Sequence, residues 1–349
     1  MKILINTPNL KELGGVASHY NGLKDYWTEN VKYNTVGKRT QKTGSGIFWL
    51  PWDLFKFLFK LLVYRPDLVL VNPSLAENAL KRDFVFLNMA GCLGFKVAVF
   101  IHGFSWDVAK HIDKNWVVRN LNKASLIIVL AEVFRKKLLM WGVHTPIKLS
   151  TTKVDDKMLV GFNACQRNGK IKNILYLSRV EKAKGIYETL KTYELLKPIY
   201  PHLRLTIVGD GGELVSVRKY VEDEKMTDIY IRGGLKGKEL VKEFREADIY
   251  YFPSYYGEGM PTTVLEAMAF GLPVITRNVG GLIDFFENGK MGYITDSMEP
   301  KDFANAISGY IENLELTKAT SLYNYEYARK NFMASHVAKS IEKELKNFI

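Results

Sequence analysis

Residues 250–281 read YYFPSYYGEGMPTTVLEAMAFGLPVITRNVGG, and the punctuation of this stretch decides the fold. An apolar, strand-like run from Ile249 to Pro253 comes first. A loop with two glycines, Tyr255 to Pro261, carries Glu258. The pattern then predicts a helix from Thr262 to Phe270 that stops at Gly271, just before Pro273. A second apolar strand, Pro273 to Thr276, runs on to the pair Gly280-Gly281. Strand, loop, helix and strand in this order make one unit of a parallel α/β sheet. The loop brings a carboxylate and backbone N–H groups to a helix start, where the macrodipole favours a bound anion. Glu258 and Glu266 lie eight positions apart and can face one crevice at the carboxyl end of the sheet. Two plainer readings stand beside this one. Thr263 and Glu266 have the spacing of a capping box, and Glu258 fits an ordinary solvated loop charge.

Taken whole, the stretch resembles the signature of the retaining glycosyltransferases of family 4. The matching features are Pro253-Ser254 at a strand end, a glutamate, a glycine-rich turn and a second glutamate after seven residues, then EAMA, G-x-PVI and a glycine pair. The resemblance implies an α/β GT-B fold, two Rossmann-like domains facing each other across a deep cleft. It covers essentially the whole chain, strongly from Asn173 to Gly292 and loosely before that. The implied division is 1–165 for an acceptor-binding domain and 166–333 for a nucleotide-sugar-binding domain. A last helix, 334–349, is expected to pack back on the first domain.

The 349 residues suffice for two α/β domains. At 47% hydrophobic and 25% charged residues, the composition is that of a soluble globular protein. No apolar run reaches the length of a membrane span, and Met1-Lys2 leads straight into a strand, Ile3 to Asn6. Cys92 and Cys165 form no metal or redox motif and are expected to be buried thiols in a reducing, cytoplasmic setting. The net charge of +12 is uneven: residues 1–165 hold 23 Lys and Arg against 12 Asp and Glu. A basic half points to an acidic partner, here the anionic inner face of the plasma membrane, or is simply a basic solvated surface. No recognised nucleic-acid motif accompanies the charge.

In the first half, the strand KILINT leads to Gly14-Gly15 and a helix expected from Val16 to Glu29. A glycine pair there lets backbone N–H groups approach a phosphate, but the spacing is not that of a dinucleotide site. Residues 47–64, IFWLPWDLFKFLFKLLVY, place Phe55, Phe59 and Leu62 on one helical face and Lys56 and Lys60 on another. The apolar face is expected to pack in the core. Phe48, Trp49 and Trp52 fit either that packing or an interfacial wedge touching lipid. His102 ends a buried strand, Val97 to Ile101, where α/β sheets bind ligands. The resemblance places it near the reacting sugar carbon, with Asp107 behind it. This chain departs from the family at Ala131-Glu132, commonly Ser-Glu, and at Thr152-Lys153 before Val154-Asp155, often Asn-Gly.

In the second half, Asn173 to Leu177 ends at Ser178-Arg179, and Lys184-Gly185 follows before a helix from Ile186. Two cations across a loop at a strand end can clamp a diphosphate, and R-x4-K-G matches the family's clamp. The turn at 209–212, GDGG, and Arg232-Gly233-Gly234 match the family's nucleotide-contacting turns. Helices are expected beyond Gly292. No His/Cys set or carboxylate cluster suggests a metal, and no cofactor is expected beyond the nucleotide diphosphate sugar itself.

The resemblance therefore implies a retaining, metal-independent glycosyltransferase acting on a glycan acceptor. A lipid-linked acceptor in bacterial surface polysaccharide synthesis (O-antigen, capsule or lipopolysaccharide) is the expected setting. His102, Arg179, Lys184 and Glu258 would serve the reaction. Gly15, Arg232, Gly259, Met260, Pro261, Thr262 and Glu266, with the two cations, would hold the nucleotide sugar. A GT-B enzyme that hydrolyses or epimerises a nucleotide sugar, and a non-catalytic nucleotide-sugar-binding protein, are the competing readings.

Overall fold

The structure is a computed structural model and describes residues 1–11, 14–37 and 49–348. The chain divides into two compact units. The first holds Met1–Asp155, Gly257–Met260 and Ala334–Ile349, and the second Asp156–Tyr256 and Pro261–Met333.

The first unit alternates strands and helices: β1 Lys2–Thr7, α1 Gly15–Leu23, β2 Asn30–Thr35, α2 Leu50–Tyr64, β3 Leu68–Val71, α3 Glu77–Cys92 and β4 Lys96–Ile101. It continues with α4 Trp106–His111, α5 Lys114–Leu121, β5 Leu126–Val129, α6 Glu132–Met140 and β6 Ile147–Leu149. The strands pair in parallel in the order β2-β1-β3-β4-β5-β6. Strands such as LVLV at 68–71 and LIIV at 126–129 are buried throughout, as parallel strands covered on both faces must be.

The second unit runs β7 Asn173–Leu177, α7 Ile186–Leu196, β8 Arg204–Val208, α8 Leu214–Asp223, β9 Ile229–Gly233 and α9 Gly237–Glu246. Then come β10 Ile249–Phe252, α10 Thr262–Ala269, β11 Val274–Arg277, β12 Gly292–Thr295, α11 Pro300–Glu312 and α12 Leu314–Asn331. Its parallel order is β12-β11-β10-β7-β8-β9. This is the doubly wound Rossmann order, whose reversal falls between β7 and β10. Gly292 opens a strand, so helices fill the chain only from Pro300 onward.

The last helix, α13 Ala334–Lys346, belongs to the first unit. The Glu342 carboxylate accepts from the backbone N–H groups of Thr28 and Glu29, each at 2.8 Å. Helix α1 ends at Leu23, short of the expected Glu29, so the N–H groups of Thr28 and Glu29 lie outside it and are met by Glu342. The division between the units falls at Asp155/Asp156, where the sequence reading placed it at 165/166. Phe162 and Arg167 tie the intervening segment to the second unit. Phe162 packs on Phe270 and Tyr325, and the Arg167 guanidinium donates to the carbonyls of Phe244, Ala247 and Phe270.

The cysteines and helix α2 depart from the sequence expectation. Cys92 and Cys165 are exposed; one ends α3 and the other lies in a short 3-10 turn, Ala164–Gln166, so neither faces a core. On α2, Phe55, Phe59 and Leu62 do not face the core: they are 60%, 60% and 58% exposed. The helix is buried instead through Asp53, Phe57, Leu61 and Tyr64. Phe57 and Leu61 belong to the core, and Phe57 meets Phe86 edge-on. Asp53 accepts from the Gly37 N–H at 2.8 Å and so is satisfied where it is buried. Trp52 is exposed, and Phe48 lies outside the described residues.

Candidate active site

In the second unit the candidate residues sit on the loops that leave β7 and β10, the two strands flanking the switch point. Ligands of open α/β sheets bind at that crevice. After β7, the chain passes Arg179 and turns through Lys184 into Gly185, which has φ +79°. A Cβ on Gly185 would stand 2.5 Å from the Pro253 carbonyl oxygen. The glycine of R-x4-K-G is therefore required both by its left-handed backbone and by the approach of the loop after β10.

The two cations converge on one aromatic ring. The Lys184 ammonium lies 4.1 Å and the Arg179 guanidinium 5.4 Å from the centroid of Tyr256. Lys184 is buried, whereas Arg179 is largely exposed and holds Glu181 at 2.6 Å. One cation is thus fixed, and the other can exchange an intramolecular carboxylate for an anionic ligand. Tyr256 was in the stretch that decided the fold but carried no signal of its own; only the folded geometry puts it against both cations.

Helix α10 starts shortly after Tyr256 in sequence, with Pro261 at its N-cap and no side-chain cap. The capping-box reading of Thr263 and Glu266 is therefore not what forms. Thr263 sits inside the helix and its hydroxyl oxygen accepts from the Tyr250 hydroxyl at 2.7 Å. Glu266 is buried within α10. The GDGG turn after β8 meets the end of β9, where the Asp210 carboxylate accepts from the Gly234 N–H at 3.1 Å. Arg232 is held at 2.9 Å by the buried Glu243, so its side chain is already engaged.

In the first unit the order β2-β1-β3 places the switch point between β1 and β3. Gly14 and Gly15 follow β1, and α1 begins at Gly15 with no side-chain cap. Asn72 follows β3 and His102 follows β4. The Asn72 amide nitrogen donates to the Asn6 carbonyl at 2.7 Å, which fixes which end of the amide is oxygen. That oxygen accepts from the Tyr20 hydroxyl and lies 3.1 Å from His102 Nε2. Nε2 must then carry the proton, leaving Nδ1 as the acceptor nitrogen of the ring. Desolvation pushes the His102 pKa down to about 3, so the ring is neutral. It stacks on Phe100 at 4.0 Å.

His19 lies edge-on to His102 at 5.0 Å, and both its nitrogens lack a hydrogen-bond partner. Burial first, then electrostatic coupling to the neighbouring His102 and to Lys153, holds its pKa well below the usual range. Lys153, which stands where the family often has glycine, is itself buried. Asp107, expected behind His102, is instead exposed and paired with Lys110. The segment Gly257–Met260, which carries Glu258, clusters with this unit. A Cβ on Gly259 would come 2.3 Å from the His102 carbonyl oxygen, so the loop can lie there only with glycine. His102 and the Glu258 loop are thus brought together, with Asn72, Tyr20, His19 and Lys153 added by the structure. A polar residue ending a buried strand at a switch point was the one signal that could have marked Asn72. Among the described residues no three His, Cys, Asp or Glu side chains form a metal-ligand set.

Two parallel six-stranded sheets with these orders, each in its own α/β unit, define a two-domain protein of the GT-B fold. Anabaena HepE, solved with UDP, superimposes over 99% of this chain and 100% of its own with a TM-score of 0.77 at 15% identity, a likeness of fold. Residues 162–328 match the family model of the glycosyl transferases group 1. D-inositol 3-phosphate glycosyltransferase of Paenarthrobacter aurescens is 30% identical over 41% of this chain and 36% of its own length. Lipopolysaccharide 1,2-N-acetylglucosaminetransferase of Salmonella typhimurium is 29% identical over 50% of this chain and 48% of its own. The chain thus spans between about a third and a half of the length of these curated relatives.

Proposed function

We propose that this protein is a retaining glycosyltransferase of family 4 that moves a sugar from a nucleotide diphosphate sugar to a hydroxyl of a glycan acceptor. The observation that carries the reading is the pair Arg179 and Lys184 gathered on the Tyr256 ring at the β7/β10 switch point. Departure of a nucleoside diphosphate develops negative charge, and fixed cations with a helix N-terminus stabilise it as it forms. Arg179, Lys184 and the start of α10 at Pro261 and Thr262 would do this without a metal ion. Glu266 would hold the ribose, and the backbone at Arg232 the base. In the first unit, Glu258 and the Gly259-Met260 segment would hold sugar hydroxyls, Gly15 would close over the phosphate, and neutral His102 would line the reacting carbon. On a front-face route the departing phosphate oxygen takes the acceptor's proton as the new glycosidic bond forms on the same face. No dedicated protein base is then needed.

The acceptor in this reading is lipid-linked and belongs to bacterial surface polysaccharide synthesis at the inner face of the plasma membrane. The lipopolysaccharide transferase among the relatives supports that setting. The test is turnover with UDP-, GDP- and ADP-sugars in excess EDTA. Arg179→Ala or Lys184→Ala should each lower it on the order of a hundredfold. A strict requirement for a divalent ion, or variants as active as the wild type, would overturn the proposal.

A further inference from the structure

Helix α2 has two opposed apolar stripes, and only one of them has a core to enter. Asp53, Phe57, Leu61 and Tyr64 are buried. Trp52, Phe55, Phe59, Leu62 and Val63 are 54% to 67% exposed. At about 100° per residue these five fall within an arc of about 100° on the side opposite the buried set. Trp52 stacks on Phe55 at 5.7 Å, so the outer ends of the two rings form one plate. Five large apolar side chains in one exposed stripe mark an interaction surface and not the scattered exposure of an ordinary monomer.

The charge around this stripe identifies what covers it. Lys56 and Lys60 line one flank of it on the helix. Among the described residues from 32 to 65 there are four cations, Lys32, Lys56, Lys60 and Arg65, against the single carboxylate of Asp53, which is buried. The whole first unit carries 25 Lys and Arg against 14 Asp and Glu, while the second is close to balanced at 24 against 23. A second copy of the chain is a poor occupant: a two-fold interface would set the same cations against each other. The strip is also only about 20 Å long and about 10 Å wide, far below the ~800 Å² per partner of a stable dimer. An apolar, aromatic-rich helical face among cations is the chemistry that inserts at the headgroup level of an anionic bilayer.

We infer that the outward face of α2 is a membrane-docking element that lies in the plane of an anionic leaflet, with Trp52, Phe55, Phe59, Leu62 and Val63 entering the acyl boundary. The inference rests on the membrane setting proposed above and not on the transfer chemistry. Co-sedimentation tests it, with vesicles of phosphatidylcholine alone and of phosphatidylcholine mixed equally with phosphatidylglycerol, in low and in molar salt. The wild type should pellet with the anionic vesicles at low salt, weakly with the neutral ones, and less in high salt. Phe55→Ser with Phe59→Ser, and separately Leu62→Ser with Val63→Ser, should each weaken that binding by roughly tenfold or more without lowering the melting temperature.

A wild type that ignores anionic vesicles at low salt overturns both the docking element and the membrane setting, and leaves transfer to a soluble acceptor intact. A wild type that binds while both variants bind equally well overturns the assignment to α2 alone. A concentration-dependent dimer that either variant abolishes assigns the face to a second copy, and also overturns the inference.

Discussion

The structure makes a specific demand on pH through His102. Its ring is desolvated, donates from Nε2 to Asn72, and has a pKa of about 3 against an ordinary value of 6.5. The unfolded chain therefore binds a proton that the folded chain refuses. The stabilisation is fully present above the unfolded value of 6.5 and is lost as pH falls from there towards about 3. Between about pH 8 and about pH 5 the loss from this one ring is about 2 kcal/mol, at about 1.4 kcal/mol per pH unit below the unfolded value. His102→Phe removes the titration while keeping an aromatic ring to stack on Phe100. All six tryptophans, Trp27, Trp49, Trp52, Trp106, Trp116 and Trp141, belong to the first unit, so their fluorescence reports the unfolding of that unit. Urea titrations of both proteins at the two pH values isolate the His102 contribution, because the other titrating groups are common to both. The wild type should lose about 2 kcal/mol more than the variant on acidification. Equal losses in the two proteins would refute the assignment of a neutral, desolvated His102.

The two glutamates are separable. Glu258→Gln should impair transfer more than it impairs binding of the bare nucleoside diphosphate, since its proposed partner is the sugar; equal effects on both measurements would contradict this. Glu266→Gln should weaken the bare nucleotide too, and a variant with unchanged nucleotide affinity would return Glu266 to a purely structural role in α10. Gly259→Ala should reduce turnover sharply, because the added methyl meets the His102 carbonyl, while leaving binding of the bare diphosphate to the second unit nearly unchanged. Wild-type turnover in that variant would remove the constraint on the loop.

The second unit was legible almost residue by residue, because its strands are continuous apolar runs closed by glycine turns. Asn173–Leu177, the helix from Ile186 and the helix from Thr262 all start where the sequence places them. The R-x4-K-G spacing likewise led to the cation pair, although not to the Tyr256 ring that joins it. What the sequence could not settle was which of two apolar faces of α2 meets the sheet. Both have helical periodicity, and only packing against β-strand neighbours and Phe86 selects Phe57 and Leu61. The surroundings of His102 were hidden for a different reason. Tyr20, Asn72 and Lys153 are far apart in sequence and meet only because strand order brings their loops to one switch point. Exposure of Cys92 and Cys165 is likewise a matter of neighbours, not of residue type.

Calorimetric titration of UDP, GDP and ADP into the wild type, Arg179→Ala and Lys184→Ala, all in excess EDTA, tests the diphosphate clamp most directly. At least one of these diphosphates should bind the wild type at one site per chain. Either substitution should weaken it by roughly ten- to hundredfold, the value of a charge-assisted hydrogen bond to phosphate. A wild type that binds none of the three without a metal ion, or variants that bind as tightly as the wild type, would contradict the assignment of Arg179 and Lys184 as the diphosphate clamp.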